Sequence, residues 1–83
     1  MARYWWKECP VCGQYGRLCI VQVQASARLA LQCDECSWMC DDPLVCQEYE
    51  NGYEGICIDT VYPTIDAIVA MGWRLYCANV LEQ

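Results

Sequence analysis

The residues best equipped for chemistry in this 83-residue chain are its nine cysteines. Two pairs of them have a regular spacing: Cys9-Pro10-Val11-Cys12-Gly13, and Cys33-Asp34-Glu35-Cys36. Twenty residues, Gly13 to Gln32, separate the pairs. Two thiols three positions apart on a tight turn can both reach one ion. Two such turns supply the four thiolates that zinc takes tetrahedrally, at about 2.3 Å each. Gly13 suits the backbone just past the first turn, because glycine tolerates positive φ. Pro10 fixes φ inside that turn and removes one amide donor. Two disulfides, or four buried thiols, are the other uses of these residues, and the paired spacing favours a metal.

Other chemistry is thinly supplied. The chain has no histidine, one lysine (Lys7) and two serines (Ser26 and Ser37). The commonest general base is therefore missing, together with the usual partner of a cysteine or serine nucleophile. A four-cysteine zinc site is closed and leaves no position for a reacting water. The carboxylates at Asp41-Asp42 and at Glu48 and Glu50 have nothing in the sequence to set them in a pocket, and an exposed acidic face is the commoner meaning of such runs. The expectation is a protein that is not an enzyme.

The elements that must position the cysteines follow in order. Tyr4, Trp5 and Trp6 open a short strand, in which alternation buries one tryptophan and leaves the other at a surface. Gln14 to Arg17 reads as a turn hinged at Gly16. Leu18–Val23 and Arg28–Gln32 read as two strands joined by a hairpin end at Gln24–Ala27, with Cys19 a buried thiol. Ser37 to Cys40 continues as a strand that sets Trp38 beside the metal. Asp42-Pro43 reads as a helix start, the helix running to about Tyr49 with Leu44, Val45 and Cys46 on its apolar side. Gly55–Ile58 is a short strand or a loop. Thr64 caps a second helix whose apolar face is Ile65, Ile68 and Val69, and Gly72 ends it. Trp73, Leu75 and Tyr76 then return as a strand or short helix. Cys40, Cys46, Cys57 and Cys77 show no knuckle spacing and read mostly as buried thiols.

Residues 4–43 resemble the zinc-ribbon family. The first knuckle matches its pattern, while the second is followed by Ser37 where the family has glycine. The resemblance implies one structural Zn2+ on Cys9, Cys12, Cys33 and Cys36. It also implies a three-stranded antiparallel β-sheet with two knuckles over residues 1–43; with the two short helices read above, packed on it as an extension over residues 44–83, the expected fold is α+β in one domain. The first knuckle is also similar to that of rubredoxins, which implies iron and electron transfer as an alternative. The second knuckle lacks the proline and glycine of that family, and the chain after Cys36 is longer. Many ribbons serve transcription or the ribosome, a further alternative.

Charge weighs against nucleic acid. Residues 1–32 carry a net +3 and residues 33–83 a net −9, with no basic residue between Arg28 and Arg74. Phosphate recognition needs a basic face. An acidic surface interleaved with tyrosines instead suits a basic protein partner, which carboxylates steer and tyrosines contact. The residues that would meet it are Asp41, Asp42, Glu48, Tyr49, Glu50, Tyr53 and Glu54; a solvated acidic face is the plainer use of the same residues. The layout, from Trp-Trp-Lys-x-Cys-Pro-Val-Cys through Asp-Asp-Pro to Thr-Ile-Asp-Ala-Ile, also looks like small bacterial immunity proteins of polymorphic or contact-dependent toxin systems. That likeness implies an inhibitor that occludes a basic, nuclease-type toxin domain. No apolar run approaches the ~20 residues of a membrane span, and no signal-like segment opens the chain. A reducing cytoplasm is the expected compartment.

Overall fold

Strand-forming residues dominate the first half of the chain, and there they form an antiparallel meander. The computed structural model describes residues 2–46 and 48–82, and the side chains of Gln14, Tyr15, Tyr49, Leu81 and Glu82 lie outside that description. Strands β1 (Ala2–Cys9), β2 (Gly13–Val23), β3 (Leu29–Cys33), β4 (Trp38–Cys40) and β5 (Tyr53–Glu54) pair in succession. The later strands return to the same sheet. β6 (Thr60–Val61) pairs with the end of β2, and β7 (Asn79–Glu82) pairs with β1 from Ala2 to Trp5. Among the described residues the sheet thus has seven strands, and its neighbours are all antiparallel.

This corrects the α+β expectation of a three-stranded ribbon with two helices. The physical reason is the run Leu18-Cys19-Ile20-Val21, which is buried throughout. A strand buried on both sides needs cover on both faces. Leu18 and Ile20 share one cluster with Leu29, Leu31, Cys33, Trp38 and Cys40, onto which Ile68, Trp73 and Tyr76 pack. Val21 and Val23 share the other with Ala30 and Met39, covered by Tyr53 and Ile58. The pairs Ile20↔Leu31 and Val21↔Ala30 fix the register that keeps these two sets apart. Burying one such aliphatic side chain contributes roughly 1.5–3 kcal/mol.

The two expected helices fare differently. The first shrinks to a 3-10 turn, Pro43–Val45. Its start signals work: Asp42 accepts from the Leu44 amide at 3.0 Å and Pro43 opens the turn. The turn cannot propagate because it has no face to bury. Leu44 is 73% exposed and Val45 42%, and short helices do not hold without tertiary packing. The Asn51 side chain also takes the Val45 carbonyl, at 3.1 Å. The second forms as α1 (Ile65–Ala70), capped by Thr64, whose Oγ1 accepts from the Ala67 amide at 3.2 Å. Gly72, at φ +78°, ends it, with Gly72 N–H bonded to Val69 and Trp73 N–H to Ile68. Of its expected apolar face only Ile68 is buried; Ile65 and Val69 are exposed. A 3-10 turn at Arg74–Tyr76 precedes β7. Among the described residues no helix is long and apolar enough to cross a membrane.

Candidate metal centre

Because β1 to β4 form a meander, the β1–β2 and β3–β4 turns fall at the same end of the sheet, and the Gln24–Ala27 hairpin end falls at the other. The two Cys-x-x-Cys segments are those two turns. Their four sulfurs, from Cys9, Cys12, Cys33 and Cys36, all lie within 4.8 Å of one another. Across the knuckles, Cys12 and Cys33 are 3.4 Å apart and Cys9 and Cys36 are 3.7 Å apart. A tetrahedron of metal–sulfur bonds near 2.3 Å places its sulfurs about 3.8 Å apart. The donor set and its spacing fit one metal ion. These four residues would hold it and, with a d¹⁰ ion such as zinc, supply a structural tie between the two turns.

Backbone amides prepare the sulfurs for negative charge. Glu35 and Cys36 N–H each point at Cys33 Sγ at 3.4 Å, and Val11 N–H points at Cys9 Sγ at 3.4 Å. Burial pushes Cys33 upward, but those amides outweigh it and hold the thiol below its ordinary range. Burial and the neighbouring sulfurs push Cys12 up to about 12. Burial and its neighbours push Cys36 up to about 11, against an opposing Trp38 amide. Cys33 is thus a readier thiolate than Cys12 or Cys36, whose protons a bound cation would displace. Cys9 and Cys33 are buried, while Cys12 and Cys36 form the outer edge.

Gly16 is a functional position that sequence reasoning placed in a turn. It is a buried residue of β2. A side chain there would overlap Cys33 Sγ and lie 2.9 Å from Cys12 Sγ. Only glycine lets the strand pass against the sulfurs. Such a strand-interior glycine, four residues beyond a ligand cysteine, is a signal for close approach that could have found it. The second knuckle is tied to the same strand: Asp34 accepts from the Arg17 amide at 2.9 Å, and its own N–H donates to the Arg17 carbonyl at 3.1 Å. Trp38 is buried beside the knuckle cysteines, as expected.

The other cysteines diverge from the reading of free core thiols. Cys40 and Cys46 form a disulfide, and Cys57 is exposed. Cys19 is a buried thiol, as expected. It lies opposite Trp5 on the face away from Trp6. Both tryptophans are half-buried: Trp6 meets Tyr76 edge-on at 5.0 Å, and Trp5 lies under the Arg17 guanidinium at 5.2 Å.

The seven acidic and tyrosine candidates split into two sets. Asp41 pairs with Arg28 at 3.1 Å and accepts from the Tyr53 hydroxyl at 2.5 Å, while Arg28 also reaches Tyr53 at 3.3 Å. Burial and the Asp41 carboxylate raise the Tyr53 phenol above its usual range. Asp42 is the cap of the Pro43–Val45 turn. These three maintain the local fold. Glu48, Glu50 and Glu54 are exposed, and among the described residues no basic side chain pairs with them. Tyr49 lies in a 3-10 turn, and its side chain is outside the described set.

No family model, no curated protein and no solved structure matches this chain.

Proposed function

We propose that this chain is a small binding protein whose fold is tied by one structural zinc ion, and that its acidic loops meet a basic protein partner. The finer reading is an immunity or inhibitor protein that occludes the basic cleft of a nuclease-type toxin domain. The observation that carries the binding role is the fate of the carboxylates. Among the described residues no basic side chain compensates Glu48, Glu50 and Glu54, and the same stretch of chain exposes Leu44 and Val45. Apolar side chains within a charged rim are the anatomy of a protein contact, and the carboxylates would speed encounter with a cation-rich surface. Four cysteines around one ion leave no ligand position open to substrate, which supports a structural role for the metal.

Native mass spectrometry of the chain, purified from its own host without chelator, tests this. One zinc and a single basic partner would support it. One iron with no partner would favour the electron-carrier reading instead, and an iron tetrathiolate would declare itself by visible absorption. With a partner in hand, Glu48→Lys, Glu50→Lys and Glu54→Lys together should slow association at least tenfold while leaving the melting temperature nearly unchanged. Association indifferent to that triple change and to added salt would remove the acidic loops from the account.

A further inference from the structure

Cys40 and Cys46 belong neither to the metal centre nor to the exposed surface. Their disulfide closes the loop Asp41–Val45, with Cα atoms 5.9 Å apart. Both are fully buried and share a core cluster with Cys9 and Cys33. Each sulfur also lies within reach of one carbonyl oxygen, that of Asp42, at 3.3 Å from Cys40 and 3.0 Å from Cys46. On reduction the two sulfurs must move apart, and the Asp42 carbonyl lies within reach of both as an acceptor for the new thiols. The two ends are anchored unequally. Cys40 ends β4 and pairs with Leu31 across the sheet. Cys46 follows a three-residue turn whose Leu44 and Val45 are exposed, so it is the end that can open.

We propose that Cys40 and Cys46 are a reversible dithiol–disulfide couple that fixes or frees the acidic loop Asp41–Val45 while the metal stays bound. A thiolate of an external dithiol attacks Cys46 Sγ when the turn opens. The Cys40–Cys46 bond breaks, and Cys40 leaves as a thiolate and takes a proton. The second thiol of the reductant then attacks the mixed disulfide and releases Cys46, which takes a proton in turn. The chain gains two electrons and two protons, and the dithiol becomes a disulfide. In the reduced form the loop keeps the Asp42 cap and the Arg28–Asp41–Tyr53 cluster, but loses its covalent closure. The couple would regulate the surface proposed above, and that link alone rests on the binding role.

The experiment needs no partner. Zinc-loaded protein is equilibrated with graded ratios of reduced and oxidised dithiothreitol. Thiols are mapped by alkylation and mass spectrometry, zinc is followed with a chromophoric indicator, and amide exchange is measured over residues 41–46. The expected result is two new thiols, at Cys40 and Cys46, with no zinc released. Exchange in residues 41–46 should quicken by about tenfold or more while β2 and β3 hold. The double variant Cys40→Ser/Cys46→Ser should show the fast pattern under every redox condition. Equal exchange in both states, zinc loss coincident with reduction, or a double variant that keeps the slow pattern would overturn the proposal. A couple that behaves as stated in a chain whose partner ignores Glu48, Glu50 and Glu54 would sink the binding role and leave the couple standing.

Discussion

The two knuckles reach the same backbone shape with different residues. After the second cysteine of each, the chain turns through the left-handed region: Gly13 at φ +65° and Ser37 at φ +66°. Glycine enters that region freely, whereas an L side chain costs roughly 1–2 kcal/mol there. The second knuckle carries that cost and is held by more bonds. The Ser37 carbonyl accepts from Gly55 N–H at 3.0 Å and from the Gln32 side chain at 3.4 Å. Asp34 adds its two bonds to Arg17. Two amides serve Cys33, against the one from Val11 that serves Cys9. The first knuckle is the simpler turn, closing β1 onto β2 at Cys9↔Gly13 with Pro10 and Val11 exposed. A knuckle can thus be specified by a permissive residue or enforced by its surroundings.

The severest way to break the comparison is to remove what joins the two. Stripping the metal with a chelator should remove on the order of 10 kcal/mol of folding free energy. Because Cys9 and Cys33 belong to the main core cluster, the loss should reach the sheet and not only the turns. Circular dichroism and thermal melting of chelated against zinc-loaded protein read this directly. Unchanged melting would show that the sheet stands without the ion.

Gly16→Ala should come next, because it strikes both knuckles through Cys12 and Cys33 at once. Overpacking of this kind costs about 1–3 kcal/mol, or roughly tenfold to a hundredfold in metal affinity if the sulfurs yield. Competition with a zinc indicator measures it. Gly13→Ala is the matched control, since a side chain at Gly13 meets nothing within 4 Å. Its cost should come from φ alone, about 1 kcal/mol.

These residues also show what sequence could convey. The four-cysteine cluster was legible, because thiol spacing on a turn is a local property, and so were most of the strands around it and the caps at Asp42 and Thr64, although residues 14–17, read as a turn, belong to β2. The number of strands was not. Tyr53–Glu54 and Thr60–Val61 are strands of two residues each, and they exist only because β4 and β2 offer them partners. Asn79–Glu82 has too weak a pattern to signal its place beside β1. The expected Pro43 helix failed for a related reason: Asp42 and Pro43 supply a start, but Leu44 and Val45 have no surface to lie against. Cys40 and Cys46 do not share knuckle spacing, so their bond is a product of the fold. The absence of glycine at position 37 suggests a departure from the ribbon pattern, yet Ser37 fills the same backbone role as Gly13.

The gentlest test separates backbone strain from metal binding. Ser37→Gly should relieve the left-handed cost and, after allowance for the freer unfolded chain, raise stability by a few tenths to about 1 kcal/mol. Ala27 supplies the control. It too is left-handed, at φ +61°, but it sits in the hairpin turn between β2 and β3, where its N–H donates to the Val23 carbonyl at 2.7 Å. That turn is at the end of the sheet away from the sulfurs. Ala27→Gly should therefore raise the melting temperature by a similar small amount and leave zinc affinity where it was. Ser37→Gly directly follows a ligand, Cys36, and should change both. If the two variants shift zinc affinity alike, the second knuckle is not enforced by its surroundings, and its extra hydrogen bonds are incidental to the site.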